Sequence, residues 1–251
     1  MKEYAKLLKI KKRGRKRDYK YAVVIFHKYG INYLWEYKNM GINSMKTVAI
    51  ISQKGGAGKT TLALNLAVAG ELSGFPSAVF DLDPQASSTG WKDSRDEEAP
   101  AVISLHSARI SHSLETARQS GAKLVIFDTA PHSQKDALEA AQASDLILIP
   151  CKPSLVDLRA ISSSVKIAQL SGKPAVAVLT QTQARGSLTD EAIEAIKSYE
   201  ISIAPMTIGN RMAFVHAFTA GKGVLEIEPQ SKAGEEISSL FAFIINFMED
   251  K

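Results

Sequence analysis

No stretch limits the architecture of this chain as tightly as residues 47–72. An apolar run, Thr47–Ser52 (TVAIIS), leads into Lys54-Gly55-Gly56-Ala57-Gly58-Lys59-Thr60-Thr61. An apolar segment then continues to Leu72, with Gly74 just past its end. The first run has the length and β-branched content of a buried strand. The second has the length of a helix, predicted from about Thr60 to Leu72, and the glycine beyond it marks a stop. In a strand–glycine loop–helix unit, backbone N–H groups can converge on an anion. The glycines allow close approach, and the helix N-terminus adds a favourable field.

The remainder repeats the alternation. Ser77–Asp81, Lys123–Asp128 (KLVIFD), Asp145–Pro150 (DLILIP) and Ala175–Thr180 (AVAVLT) read as further short buried strands. Helices fit at about 112–120, 134–143, 157–170 and 188–198, with Ser133 and Thr189 as N-cap candidates. Strands alternating with helices require crossover connections. The expected fold class is therefore α/β: a mainly parallel, doubly wound sheet flanked by helices, as in a P-loop NTPase. No internal repeat or low-complexity tract interrupts this pattern.

Charge divides the chain. Residues 1–44 carry 12 Lys+Arg against 3 Asp+Glu, and the rest carries 19 against 23. The overall +5 therefore originates before Met45, where six of the seven tyrosines also lie. Two domains are expected: a basic, aromatic extension over 1–44 and a catalytic domain over 45–251. Residues 9–20 (KIKKRGRKRDYK) suit either a basic arm for nucleic acid or a poorly ordered extension. Residues 21–37 have strand character without a clear period. Met45 stands directly before the first strand, where a start residue would. No signal peptide and no run of ~18–20 apolar residues is visible. Cys151 is the only cysteine, so an intrachain disulfide is excluded and a cysteine-bound metal cluster is not expected. A cytosolic protein fits.

The glycine loop departs from the common pattern Gly-x-x-x-x-Gly-Lys-[Ser/Thr]. Its second half fits Gly58-Lys59-Thr60, but Gln53 occupies the place of the first glycine. The glycines have moved inward and Lys54 precedes them. In such a loop Lys59 reaches the β- and γ-phosphates, the residues from Gly55 to Thr61 cradle them, and the Thr60 hydroxyl binds Mg²⁺. A carboxylate ending a nearby strand, as Asp128 does, can hold the same ion through water. KGGAGKTT resembles the deviant Walker A motif of the ParA/MinD family. Two further segments resemble that family in the same order: Val79-Phe80-Asp81-Leu82-Asp83-Pro84-Gln85, and Leu124–Pro131 (LVIFDTAP), a Walker B strand with its switch. The resemblance runs from Met45 nearly to the C-terminus. It implies an ATPase using ATP and Mg²⁺ in a nucleotide-sandwich homodimer. Lys54 would reach the partner's ATP, Asp83 would organise the attacking water and Asp81 would support the loop. Ile149–Ser154 resembles the family's next loop. Asp157 suits either a helix N-terminal charge or a place near the nucleotide or dimer interface, and Cys151 suits packing better than nucleophilic chemistry.

Several relatives remain distinguishable by residues. No [NT]KxD-like guanine-reading motif follows Asp128, so ATP is favoured. One cysteine argues against a bridging iron–sulfur cluster. A MinD-like membrane helix would occupy Gly234–Lys251, but that segment sums to −3, and membrane-surface helices usually present Lys/Arg. Packing of Leu240, Phe241, Ile244, Ile245 and Met248 on the domain is the simpler expectation, with no stable membrane anchor. The resemblance to ParA implies nonspecific DNA binding by the ATP dimer, nucleoid association, and a cargo adaptor or centromere-binding partner. Arg185, Arg211, Lys222 and Lys232 are candidate DNA contacts, although isolated basic residues are usually solvated surface. Segregation or positioning of a plasmid, chromosome region or other cargo is the leading reading. A MinD-like division-site regulator and a P-loop ATP-dependent ligase stand as alternatives.

Overall fold

The computed structural model describes residues 4–9, 21–27, 30–32, 44–183 and 188–249. The chain divides into two units, Met1–Asn43 and Ser44–Lys251. In the first, β1 (Tyr4–Lys9), β2 (Tyr21–His27) and β3 (Gly30–Asn32) form an antiparallel sheet, with Tyr4 opposite Phe26 and Lys9 opposite Tyr21. The basic block from residue 10 to 20 lies outside the described residues.

The second unit is built on a sheet of eight strands, all paired in parallel. In chain order its strands are β4 (Lys46–Ile50), β5 (Ser77–Asp81), β6 (Ala101–Ser104), β7 (Leu124–Asp128), β8 (Leu146–Cys151), β9 (Ala175–Thr182), β10 (Ser202–Ile203) and β11 (Ile208–Gly209). Across the sheet they run β10-β9-β8-β4-β7-β5-β6, with β11 also on β9. The chain leaves β4 toward β5 and β6, returns through β7, then crosses to β8 on the other side. The sheet order thus reverses around β4, and the carboxyl ends at such a reversal frame a ligand crevice.

Helices cover both faces: α1 (Lys59–Leu72), α2 (Ser87–Asp93), α3 (Ile110–Gln119), α4 (Gln134–Gln142), α5 (Leu155–Ser171), α6 (Leu188–Lys197), α7 (Met212–Thr219), α8 (Val224–Ile227) and α9 (Lys232–Glu249). Alternation along the strands assigns the faces. Ala49, Ile51, Phe80, Phe127, Ile147 and Ile149 join Ala137 and Ala141 of α4 and Ile161 and Val165 of α5 in one core. Val48, Ile50, Val79 and Ile126 are equally buried and project to the opposite face, against which α1 packs. Because the strands are buried on both faces they read as unbroken apolar runs. Thr47 and Asp145 fix the register of β4 beside β8: the Thr47 N–H donates to Asp145 Oδ2 at 2.8 Å, and the Asp145 N–H donates to Thr47 Oγ1 at 2.9 Å.

The apolar face of α9 is buried as expected, including Leu240, Phe241, Ile244, Ile245 and Met248, together with Ile237. Each such side chain contributes about 1.5–3 kcal/mol when fully buried. No described helix is long and apolar enough to cross a membrane. Of the two expected N-caps, Ser133 is in position and Thr189 is not. Ser133 occupies the N-cap of α4, but its hydroxyl bonds the Asp136 carboxylate and caps no backbone N–H. Thr189 lies inside α6, which begins at Leu188. The strands β6, β10 and β11 and the short helices α2, α7 and α8 were not foreseen.

Candidate functional site

A parallel sheet brings every strand's carboxyl end to one edge, and the candidate residues gather there. The register sets Ile50, Asp81 and Asp128 level with one another at the ends of β4, β5 and β7. The glycine loop leaves β4 and enters α1 through Gly58 at φ +91°, a left-handed conformation that glycine adopts without strain. Two carbonyls of the loop are held from outside. Gln181 Nε2 donates to the Gly56 carbonyl at 2.8 Å, and Thr180 Oγ1 donates to the Ala57 carbonyl at 2.9 Å. With these two carbonyls fastened to β9, the glycine segment's N–H groups can turn toward an anion.

Lys59 is buried at the base of the loop, its Nζ donating to the Lys54 carbonyl at 3.4 Å. Burial lowers its pKa, and the charges of Asp128 and Asp83 oppose that shift. Thr60 Oγ1 donates to Asp128 Oδ2 at 2.7 Å, and Ser88 Oγ donates to the same oxygen at 2.8 Å. Asp128 Oδ1 is buried without a hydrogen-bond partner. Burial pushes the Asp128 carboxyl up to about 6, with the hydroxyls of Thr60 and Ser88 opposing the shift. A carboxylate with one buried oxygen unused, beside a threonine hydroxyl, suits a hard divalent cation completed by water and phosphate oxygens. Among the described residues, no cluster of three or more His, Cys, Asp or Glu could hold a metal by itself. Thr60 and Asp128 are thus the donors able to share such an ion with a phosphate.

Asp81 is consumed in structure. Its Oδ1 accepts from the Asp83 N–H, and its Oδ2 accepts from both the N–H and the hydroxyl of Thr89, each at 3.1 Å. The loop between them is thereby tied to the sheet. Asp83 is half-exposed, its Oδ1 accepting from the Gln85 N–H at 2.9 Å. Lys54 forms an ion pair within the chain, its Nζ 2.9 Å from Asp157 Oδ1. Burial raises the Asp157 pKa, but hydrogen bonds from Ser154 and Lys54 outweigh it and hold the carboxyl below its ordinary value. Cys151 is buried, and burial followed by the Asp157 charge pushes its thiol up to about 12. It is a packed residue with no thiolate available at neutral pH.

The helix α2 is fastened from behind. The Arg95 guanidinium, only 3% exposed, lies 2.7 Å from Glu226 Oε1. It also donates to Glu226 Oε2 at 3.0 Å and to the Gly221 carbonyl at 2.9 Å, and sits 4.9 Å from the Trp91 ring centroid. Trp91 Nε1 donates to the Lys222 carbonyl at 3.2 Å. Gly221, at φ +63°, lets this corner approach: a β-carbon there would lie 2.3 Å from the Ser94 carbonyl oxygen.

Of the four candidate DNA contacts, Arg185 lies outside the described residues. Arg211 is paired with Glu236, whose hydrogen bond raises its pKa, and both line a pocket of about 480 Å³ with Thr182, Gln183, Thr207 and Asn210. Lys222 is half-buried, 3.7 Å from Glu97, and Lys232 is exposed at the start of α9. Sequence reading had assigned no role to Ser88, Thr89, Thr180 or Gln181. Ser88 and Thr89 could have been suspected, since hydroxyls shortly after a DxDPQ turn stand close to both strand-end carboxylates.

A glycine loop on the central strand of a parallel sheet, with a carboxylate on the next strand over, defines a P-loop nucleotide-binding domain. Residues 48–223 match the CobQ/CobB/MinD/ParA nucleotide binding domain, and the chain belongs to that family. It is 26% identical to maintenance of carboxysome distribution protein A of Halothiobacillus neapolitanus, over 82% of this chain and 99% of that protein. A Cyanothece McdA variant in complex with ATP shares the fold with a TM-score of 0.61 at 18% identity, covering 80% of this chain and 96% of that one. The septum site-determining protein MinD of Pyrococcus horikoshii, complexed with Mg-ADP, gives 0.64 at 16% identity, covering 81% and 97%.

Proposed function

We propose that this chain is a Mg²⁺-dependent ATPase that dimerises on ATP, binds DNA without sequence preference and positions a cargo through an adaptor protein. The observation that carries the reading is the convergence of Lys59, Thr60 and the half-used Asp128 carboxylate on one glycine loop. In this reading the loop N–H groups and Lys59 hold the β- and γ-phosphates, and the pocket bounded by Gln183 and Asn210 takes the base. Thr60 and Asp128 hold Mg²⁺, which when bound neutralises phosphate charge in the transition state. Asp83 orients the attacking water, on a loop kept in place by Asp81. Lys54 leaves Asp157 to meet the partner's ATP. Two such subunits present twice the phosphate-contacting cations of one, which makes DNA affinity respond to the nucleotide. Lys232, exposed on α9, supports a DNA-facing surface there.

The buried face of α9 favours this reading over a membrane-surface helix, because those apolar side chains are already spent on the core. Kinship with a carboxysome-distribution protein widens the range of cargo beyond a plasmid or chromosome region. The test is retention on nonspecific duplex DNA by a chain beginning at Met45, free of the basic block of residues 9–20, at fixed salt with ATP, ADP or neither, with phosphate release measured in parallel. Retention with ATP alone, lost in Lys59→Ala along with nucleotide binding, is expected. Equal retention in all three states would sink the coupling, and absence of phosphate release would sink the ATPase.

A further inference from the structure

Three lysines surround the glycine loop, and only two are accounted for. Lys59 is enclosed at its base, and Lys54 is neutralised by Asp157 at 2.9 Å. The third is Lys152, which arrives from another element, immediately after β8. Its Nζ stands 3.7 Å from the position a β-carbon on Gly56 would occupy. Gly56 adopts φ +74°, and the absence of a side chain leaves the ammonium directly over the loop's backbone. Among the described residues no carboxylate forms an ion pair with Lys152 within 4.0 Å; Asp157 senses its charge but is already bound by Lys54 and Ser154.

The backbone that carries Lys152 is constrained. Lys152 lies between Cys151, whose side chain is packed in the core, and Pro153, whose ring fixes its own backbone. Its carbonyl accepts from the Ser154 N–H at 2.8 Å and from Cys151 Sγ at 3.4 Å. An ammonium held half-buried beside an array of N–H donors, with no anion of its own, is a poised anion ligand.

We propose that Lys152 is a specificity-determining residue of the nucleotide site, whose ammonium binds the terminal phosphate of a nucleoside triphosphate and so distinguishes it from the diphosphate. The inference rests on the nucleotide reading above and deepens it. Lys59, rising from the base, serves the β-phosphate common to both ligands as well as the γ-phosphate. Lys152, entering from the rim, adds a contact only for the longer one. A charge-assisted hydrogen bond of this kind corresponds to about tenfold or more in affinity.

The experiment is equilibrium binding of a nonhydrolysable ATP analogue and of ADP, with Mg²⁺, to the full chain and to Lys152→Gln and Lys152→Arg. Thermal melts of the free proteins check folding, and no shift is expected because the side chain has no protein partner to lose. Lys152→Gln should bind the triphosphate about tenfold more weakly and ADP less than twofold more weakly. Lys152→Arg should retain most of the preference. Equal weakening toward both nucleotides, or none toward either, would overturn the assignment of Lys152. If the parent binds neither nucleotide, the nucleotide reading itself fails, and that failure shows in the parent alone.

Discussion

Replacing Asp128 with asparagine tests the site through its protonation. The folded-state pKa of Asp128 is about 6, against 3.8 for an ordinary aspartate. Ionising this carboxyl in the nucleotide-free protein at pH 7 therefore costs about 3 kcal/mol, from 1.36 kcal/mol per pKa unit. Because the folded value is the raised one, the folded state holds the extra proton between those two values. The associated stability is full below the unfolded pKa and is lost as pH rises through about 6. Between pH 7 and pH 5 the parent should gain about 1 kcal/mol from this residue. Asp128→Asn cannot titrate and gains nothing from it. Its absolute stability is not the readout, since an amide N–H placed at the unpartnered Oδ1 position carries its own desolvation cost. The readout is the difference between the two proteins, which cancels Asp136 and Asp157, whose pKa values are lowered and act in the opposite direction. Urea unfolding at pH 5 and pH 7, with a chelator and without nucleotide, measures it. Mg²⁺ selects the ionised form, so parental Mg²⁺-nucleotide affinity should fall as pH drops below about 6. A difference that stays constant from pH 7 to pH 5, or that moves in favour of the asparagine variant, would refute a buried, raised carboxyl at this position.

Asp83→Ala should retain nucleotide yet release phosphate about 100-fold more slowly or worse, the low end of the contribution expected of a group that organises a nucleophile; normal turnover would remove Asp83 from the reaction. Asp157→Asn should free Lys54 and raise the dimer fraction at fixed ATP by up to about fivefold, the limit for a partly exposed ion pair, whereas Lys54→Ala should bind nucleotide and remain monomeric by light scattering. A lower dimer fraction in Asp157→Asn would mean that the carboxylate serves the interface itself. A chain beginning at Met45 should melt cooperatively and bind ATP, and an insoluble or nucleotide-free product would make residues 1–44 integral to the fold.

The parts of the fold legible in the sequence share one property: their strands are buried on both faces. The middles of TVAIIS, KLVIFD and DLILIP, buried on both faces, are apolar without a break, so these runs stand out from the surrounding helices. By contrast, β6 at the sheet edge is largely exposed (AVIS), and β10 and β11 are two residues each. Such short edge pairings leave little mark on composition. The helix α2 (SSTGWKD) carries too few apolar residues for a helical period, and only Trp91 and Ser88 of it are buried. The site divides along a similar line. Contacts made within one loop are visible as a motif, as with Lys59 and Thr60. Those made by side chains arriving from other strands, such as Thr180, Gln181 and Lys152, need the strand order before they can be placed. Arg211 shows the reverse case: its ion pair with Glu236 of α9 joins residues whose proximity no local pattern announces.

The fastening of α2 limits how that helix can move. Its front end holds Asp128 through Ser88, and just past its rear end Arg95 grips Glu226. The neighbouring Val224 N–H is in turn held at 2.8 Å by Asn65 Oδ1, on the helix that begins at the phosphate loop. These contacts form a closed mechanical circuit: loop helix, α7–α8 corner, α2, strand-end carboxylate. If Ser88 shifts by more than the slack in the Arg95 grip, α2 must either break two charged contacts or drag the corner at Gly221 with it. Since α7 ends at that corner with Met212, Val215 and Phe218 exposed, a displacement at the buried carboxylate would emerge on the protein's outer surface.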